Sequence, residues 1–141
     1  MGKRRTGREM ALKYLYQNEF RPIELAEGWA LFQENVTMDK DVELFSRDLV
    51  KTCMVKRDSV DVLLKEFSKH WTLARMTVID RNILRLGACE LLYMKQTPPK
   101  VVINEWVEVS KKFSNADSPP FINGILDKLF KSSEAENKMS S

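Results

Sequence analysis

The hydrophobic pattern is helical along almost the whole chain. Apolar residues recur at intervals of three and four, and no stretch alternates apolar with polar residues for long enough to indicate a strand. The pattern predicts an all-α fold of about seven helices, one of them over residues 79–92. The core stripes of the other six are Ala11, Leu12, Leu15 and Tyr16; Leu25, Trp29, Phe32 and Val36; Val42, Phe45, Leu49 and Cys53; Val60, Leu63, Leu64 and Phe67; Val102, Trp106, Val109 and Phe113; and Ile122, Ile125, Leu126 and Leu129.

The segment 79–92 differs from the others because its apolar residues cover more than one face. Such a helix is expected to lie at the centre of the fold and to be largely buried. Gly87 in mid-helix costs roughly 1 kcal/mol against alanine, so its expected use is the close approach of a neighbouring helix. Glu90 lies among these apolar residues, and a buried carboxylate needs a partner that the sequence does not identify.

Helix ends are marked by capping residues and prolines. Pro22 ends the first helix, and Thr77 is the expected N-cap of the central one. Ser118 before Pro119 predicts the N-cap of the last helix. The fourth helix is expected to begin near Asp58.

The 141 residues suffice for one domain whose core needs neither disulfides nor metal. The tail 132–141 has no apolar period and is expected to be disordered, which leaves 1–131 as the helical domain. No apolar run approaches the ~20 residues that cross a bilayer, and no secretory signal follows the basic N-terminus, so the predicted location is cytoplasmic. Cys53 and Cys89 lie in apolar helical patterns and are expected to be buried thiols.

The net charge of +3 conceals an uneven distribution. Residues 1–22 hold six basic and two acidic side chains, residues 23–48 hold two and seven, residues 49–85 hold eight and four, and the remainder holds seven of each. A basic start beside an acidic segment indicates one surface for a polyanion and another for a basic partner, although charged runs also occur on solvated helix faces.

The chain lacks the residue patterns of common catalytic and cofactor sites. His70 is the only histidine, the two cysteines lie far apart, and the five glycines form no phosphate-binding loop. Nucleophilic catalysis would need a base beside a serine or cysteine. We therefore expect no metal, no cofactor and no enzymatic activity.

Three blocks of sequence carry a family resemblance. They lie within residues 4–17, 79–87 and 99–128 and read RRTGREMAL with LYQ, IDRNILRLG, and PKVVINE followed by DS and FINGILDK. In this order they resemble the NusB family of bacterial transcription antitermination factors, and the resemblance extends over about residues 4–131. It implies two perpendicular three-helix bundles.

The resemblance also implies a function. NusB-like proteins bind boxA RNA, a short single-stranded element of nascent transcripts, jointly with the small-subunit ribosomal protein NusE. With other Nus factors the complex acts on RNA polymerase, chiefly during ribosomal RNA synthesis, by binding and without a chemical step. Some members form homodimers, and the sequence leaves the oligomeric state open.

The basic run Lys3, Arg4, Arg5 and Arg8 is suited to phosphate contact, because guanidinium groups pair with phosphate and each contact releases counterions. The plainer alternative is a charged, unstructured N-terminus. The resemblance implies RNA binding for this arm, about residues 1–8.

Phe121 lies beside the core stripe of the last helix, where its ring could stack on an unpaired base or seal the edge of the core. The resemblance implies that Asp117, Ser118 and Phe121 border the RNA surface.

For the partner NusE, the resemblance implies contacts at Tyr16, Asp80 and Arg81. Each of these residues also has a structural alternative. Tyr16 has core spacing in the first helix, Asp80 is placed to interact with the free amides at a helix start, and the alternative for Arg81 is simple solvation.

Two other functions remain open from sequence. A NusB-like domain also occurs at the N-terminus of certain ribosomal RNA cytosine methyltransferases, but this chain has no room for their cofactor domain. A purely protein-binding helical module is favoured if the basic arm proves irrelevant to RNA.

Overall fold

The computed structural model describes residues 2–68 and 75–140, with side chains as far as Glu134. Its helices are α1 (Lys3–Phe20), α2 (Leu25–Asn35), α3 (Lys40–Phe67), α4 (Val78–Cys89), α5 (Pro99–Phe113) and α6 (Ser118–Ser140), and a π-helical turn (Glu90–Met94) continues α4. No strand occurs among the described residues, and the all-α prediction is confirmed. His70, the only histidine of the sequence, lies outside the described residues.

The described part of the chain holds six helices because the third and fourth predicted helices form one, α3, of 28 residues. Asp39 caps its start by accepting a hydrogen bond from the backbone N–H of Val42 at 3.0 Å. The boundary predicted near Asp58 does not exist, since no glycine or proline interrupts the segment before it. Val60 and Leu64 simply continue the buried stripe of the first half.

The helices pack as two groups of three. Helix α1 packs along α3 and touches α2, while α5 packs along α6, and α4 contacts members of both groups. The central position predicted for residues 79–92 is confirmed, because Ile83, Leu84 and Leu86 have no accessible surface. A Cβ added at Gly87 would lie 2.8 Å from the Leu126 side chain, so the glycine permits the predicted close approach, here of α6.

Helix α1 buries Tyr14 and exposes Tyr16, against the predicted core stripe. Tyr14 is 3% exposed and packs against Trp29 and Phe32, with ring centroids 5.2 and 5.5 Å away, whereas Tyr16 is 42% exposed. Both tyrosines lie at the edges of the stripe centred on Leu15. The aromatic residues of α2 cover one edge only, and this difference decides which tyrosine is buried.

Cys53 and Cys89 are free, buried thiols, and a hydrogen bond with Cys53 together with burial raises the pKa of Cys89. Helix α6 continues to Ser140, into the segment expected to be disordered, and the division of the chain at residue 131 stays a prediction. None of the described helices is long and apolar enough to cross a membrane.

Candidate nucleic-acid interface

The basic arm forms the first turns of α1, which begins at Lys3. Lys3 is exposed, and its Nζ donates to the carboxylate of Asp41 at 3.1 Å. Arg4 donates to the hydroxyl of Thr97 at 2.6 Å, and its guanidinium lies over the ring of Phe45, 5.2 Å from the centroid. Both cations are therefore accessible at one end of α1, between α3 and the start of α5.

Arg5 is held by a carboxylate of α5. Its Nε and Nη2 donate to the two oxygens of Glu105 at 2.9 and 2.6 Å, an arrangement that pairs the two flat groups edge to edge. The hydrogen bond from Arg5 holds the pKa of Glu105 below its usual value, although partial burial opposes this effect.

Arg8, in contrast, lies in the core. Its side chain is 2% exposed, and its Nε and Nη2 donate to Glu90 at 2.8 and 2.6 Å. The indole of Trp106 donates to the same carboxylate at 2.9 Å, so Glu90 has the partner that the sequence did not identify. An RNA contact at Arg8 does not fit this burial. The reason is that α1 starts at Lys3, so Arg8 lies well inside the helix and shares the buried stripe of Ala11, Leu12 and Leu15.

The basic arm, at the start of α1, packs closely against α3. A Cβ added at Gly7 would lie 2.7 Å from the ring of Phe45, so the glycine lets this ring sit against α1. The ring then faces two guanidinium groups, those of Arg4 and Arg8, at 5.2 and 5.4 Å from its centroid. Sequence reasoning assigned Phe45 only to the core stripe.

Further cations line the contact between α1 and α5. Lys112 donates to Glu9 at 2.9 Å, and the ammonium groups of Lys13 and Lys112 lie 5.9 and 5.3 Å from the ring centroid of Phe113. Arg5 contacts α5 two helical turns before Lys13 on α1. The basic groups therefore line the contact between α1 and α5 for roughly 12 Å, from Arg5 to Lys13. Sequence reasoning missed both lysines. The only available signal was that Lys13 follows Arg5 and Glu9 at intervals of four.

Asp117, Ser118 and Phe121, here called the RNA loop, lie beside Asp80, which was predicted to bind the partner. They line one cavity of about 330 Å³, whose walls are Arg75, Met76, Thr77, Asp80, Asn115, Asp117, Ser118 and Phe121. Asp117 is exposed, while the ring of Phe121 is partly buried against the core and lines the cavity. Asp117 and Phe121 therefore border an open concave surface at the far end of α5 from Thr97.

Asp80 fixes this loop from inside. Its carboxylate accepts hydrogen bonds from the hydroxyls of Ser114, at 2.5 Å, and Ser118, at 2.9 Å. The predicted cap of α4 is confirmed, because Thr77 Oγ1 accepts from the backbone N–H of Asp80 at 3.1 Å. Asp80 and Ser118 are nearly buried, so each holds the loop in place and neither presents its side chain outward.

Arg81 joins the end of α1 to the start of α4. Its Nε and Nη2 donate to the carboxylate of Glu19 at 3.1 and 3.2 Å, and Arg85 also donates to Glu19 at 3.3 Å. The hydrogen bond from Arg81 is the main cause that lowers the pKa of Glu19. Arg85 in turn pairs with Asp61 of α3 at 2.8 Å, so three helices share one ionic network.

Tyr16 lies apart from Asp80 and Arg81, on the surface of α1. Its ring contacts that of Phe20 at 5.1 Å between centroids, and Phe20 is itself 61% exposed. Both line a groove of about 520 Å³ between α1 and α2. Of the three residues predicted to bind a partner, Tyr16 has the largest accessible surface.

No group of three or more histidine, cysteine, aspartate or glutamate side chains that could hold a metal occurs among the described residues.

Comparisons with known proteins agree on one family. The model of the NusB family matches residues 5–131. The transcription antitermination protein NusB of Myxococcus xanthus is 46% identical over 133 residues, which cover 92% of this chain and 95% of that protein. The structure of T. maritima NusB superposes with a TM-score of 0.81 at 33% identity, covering 93% of this chain and 92% of the other. A crystal structure of the antitermination factors NusB and NusE in complex with dsRNA superposes with a TM-score of 0.81 at 28% identity, covering 94% and 98%.

Proposed function

The chain belongs to the NusB family, and we propose that it acts in transcription antitermination by binding boxA RNA together with NusE. It works by binding, without a chemical step. We extend the proposal to a cytoplasmic complex that contains other Nus factors and acts on RNA polymerase, chiefly on ribosomal RNA operons. The match over 95% of the M. xanthus protein supports an antitermination factor over one domain of a methyltransferase.

One observation carries the RNA part of the proposal, namely the line of accessible cations at the start of α1 and along its contact with α5. Lys3, Arg4 and Arg5 begin this line, and Lys13 and Lys112 continue it. Successive phosphates of a single strand could pair with these groups, and each pairing releases counterions. The line leads toward the cavity that contains Phe121, whose ring can stack on a base for ~1–3 kcal/mol.

For NusE, we propose a direct contact at Tyr16 and an indirect contribution from the two other predicted residues. Tyr16 lies one helical turn before Glu19, which binds Arg81, and Asp80, the residue before Arg81, holds Ser118 of the RNA loop. A partner that orders the end of α1 would therefore also order the loop. This chain of contacts supports coupled affinity, in which RNA and NusE each strengthen the binding of the other.

The test is fluorescence anisotropy of a short labelled boxA RNA and a scrambled RNA, with and without NusE, at several salt concentrations. Replacing Arg4 and Arg5 together by alanine should weaken binding and reduce the salt slope by about 0.7 per lost contact. The control is Arg57→Ala, which removes an exposed arginine of α3 beside Asp61 and should leave RNA binding intact. Equal affinity of the parent and the double variant at all salt concentrations would refute the arm as an RNA contact.

Phe121 is tested separately. If its ring stacks on RNA, Phe121→Ala should lower RNA affinity with little change in melting temperature. If its packing against the core dominates, the same change should destabilise the protein by ~3–5 kcal/mol, the cost of truncating a buried phenylalanine.

A further inference from the structure

Two of the three cations that begin the proposed RNA site already hold carboxylates of this chain. Arg5 pairs with Glu105, and Lys3 pairs with Asp41. We propose that Glu105 competes with RNA phosphate for Arg5 and thereby sets how tightly, and with what salt dependence, this protein binds RNA. The inference rests on the proposed function.

The geometry makes Glu105 a close substitute for a phosphate. Its two oxygens accept hydrogen bonds from Nε and Nη2 of Arg5, at 2.9 and 2.6 Å. A phosphate that binds Arg5 through two oxygens would accept from the same two nitrogens. The side chain of Arg5 remains 29% exposed, so a phosphate can approach it from solvent. Binding to RNA through this fork therefore requires that Glu105 leave it.

Glu105 has a second cation within reach when it leaves. Its Oε1 lies 3.5 Å from Nη1 of Arg8, while the other two nitrogens of that guanidinium hold Glu90. The exchange thus moves Glu105 from Arg5 toward Arg8 and strands no buried charge, which would be costly. The cluster of Arg5, Arg8, Glu90 and Glu105 has no net charge in the free protein, and a released Arg5 gives it a cation for RNA.

The other arm contacts are weaker competitors. Lys3 and Asp41 are both mostly exposed, and surface ion pairs of this kind contribute little. Arg4 donates to the neutral hydroxyl of Thr97, and among the described residues no carboxylate pairs with it. Arg4 should therefore meet RNA without displacing an anion, and Glu105 is the residue that limits the arm.

The experiment compares Glu105→Gln with Glu108→Gln in the full chain, with the same labelled boxA RNA. Glu108 lies one turn further along α5 and pairs with Lys111 at 2.7 Å, so its replacement removes an equal charge without freeing Arg5. We expect Glu105→Gln to bind RNA about two- to tenfold more tightly and to steepen the salt slope by at most about 0.7, the full value being reached if Glu105 keeps Arg5 from phosphate in the parent. Glu108→Gln should change affinity less than about twofold and leave the slope unchanged.

Unchanged affinity of Glu105→Gln, or equal gains in both variants, would overturn the inference, because only the release of Arg5 distinguishes them. Absence of RNA binding by the parent and both variants would instead refute the proposed function. If Glu105→Gln has a much lower melting temperature than the parent, Glu105→Asp provides the second variant. It keeps the charge but shortens the reach to Arg5, and it should raise RNA affinity by less than Gln does; affinity equal to or below that of the parent would also overturn the inference.

Discussion

Replacing Arg8 by methionine separates its structural role from the RNA role that the sequence indicated. Methionine fills much of the space of the arginine stem but carries no charge. In the variant, Glu90 would keep only the hydrogen bond from Trp106, at 2.9 Å, and its carboxylate would remain 2% exposed. An uncompensated carboxylate in the core is the expected result.

The size of the effect follows from this burial. Removing one partner of a buried ion pair costs about 3–5 kcal/mol in free energy of unfolding, because the remaining charge stays desolvated. For a chain of this length, such a loss corresponds to a fall in melting temperature of roughly 10–20 °C. Changing Glu90 to glutamine as well removes the stranded charge and keeps an acceptor for Trp106. We therefore expect the double variant Arg8→Met/Glu90→Gln to recover about 1–3 kcal/mol relative to additivity.

Denaturant titration of the two single variants and the double variant measures these energies, and RNA anisotropy at a temperature where all are folded completes the test. The matched control is Arg5→Met, which alters a partly exposed pair one turn earlier on α1. Arg5→Met should cost at most ~1 kcal/mol of stability but reduce RNA affinity. A stable Arg8→Met protein with weakened RNA binding would refute the structural role of Arg8.

Two further outcomes are expected. Gly87→Ala should destabilise the protein by about 1–3 kcal/mol, because the new Cβ would lie 2.8 Å from the side chain of Leu126. Gly124→Ala should instead stabilise α6 by about 0.5–1 kcal/mol, because its new Cβ would have no atom within 4 Å. Denaturant titration measures both changes. The pKa of Glu19 is lowered in the folded state, chiefly by Arg81, so its ion pair contributes stability above the ordinary value of 4.5, and this stability is lost as pH falls through the lower folded pKa. Glu19→Gln should therefore be less stable than the parent at pH 6, and the difference should shrink toward pH 3.

Local sequence signals predicted the helical framework because they act within a few residues. Thr77 caps α4 and Asp39 caps α3 through backbone groups three residues away. Gly87 was correctly assigned to a close approach, since a glycine in a buried helix has few other uses. The helix boundary predicted near Asp58 was wrong because an acidic residue that can cap a helix can also lie on the exposed face in the middle of a long helix such as α3.

The site was harder to predict because its contacts join residues far apart in sequence. Arg8 and Glu90 are separated by 82 positions, and Arg5 and Glu105 by 100. Each arginine looks the same in the basic run, and only the register of α1 decides which one turns inward. Whether this register extends back to Arg8 depends on where α1 begins, and helix boundaries are the least certain feature of a sequence pattern.

The charge count along the chain overstated the surface available to RNA. Residues 1–22 carry a net charge of +4, but Arg8 is neutralised in the core, and Arg5 and Lys3 hold carboxylates from other helices. The free protein therefore offers RNA mainly Arg4 and Lys13, because Lys112 also holds a carboxylate, that of Glu9. A site with so few unopposed cations gains more from a partner that orders the loop around Ser118 than a densely basic site would. Under the proposed function, the same ion pairs that stabilise α1 are therefore expected to favour joint binding of RNA and NusE over binding of RNA alone.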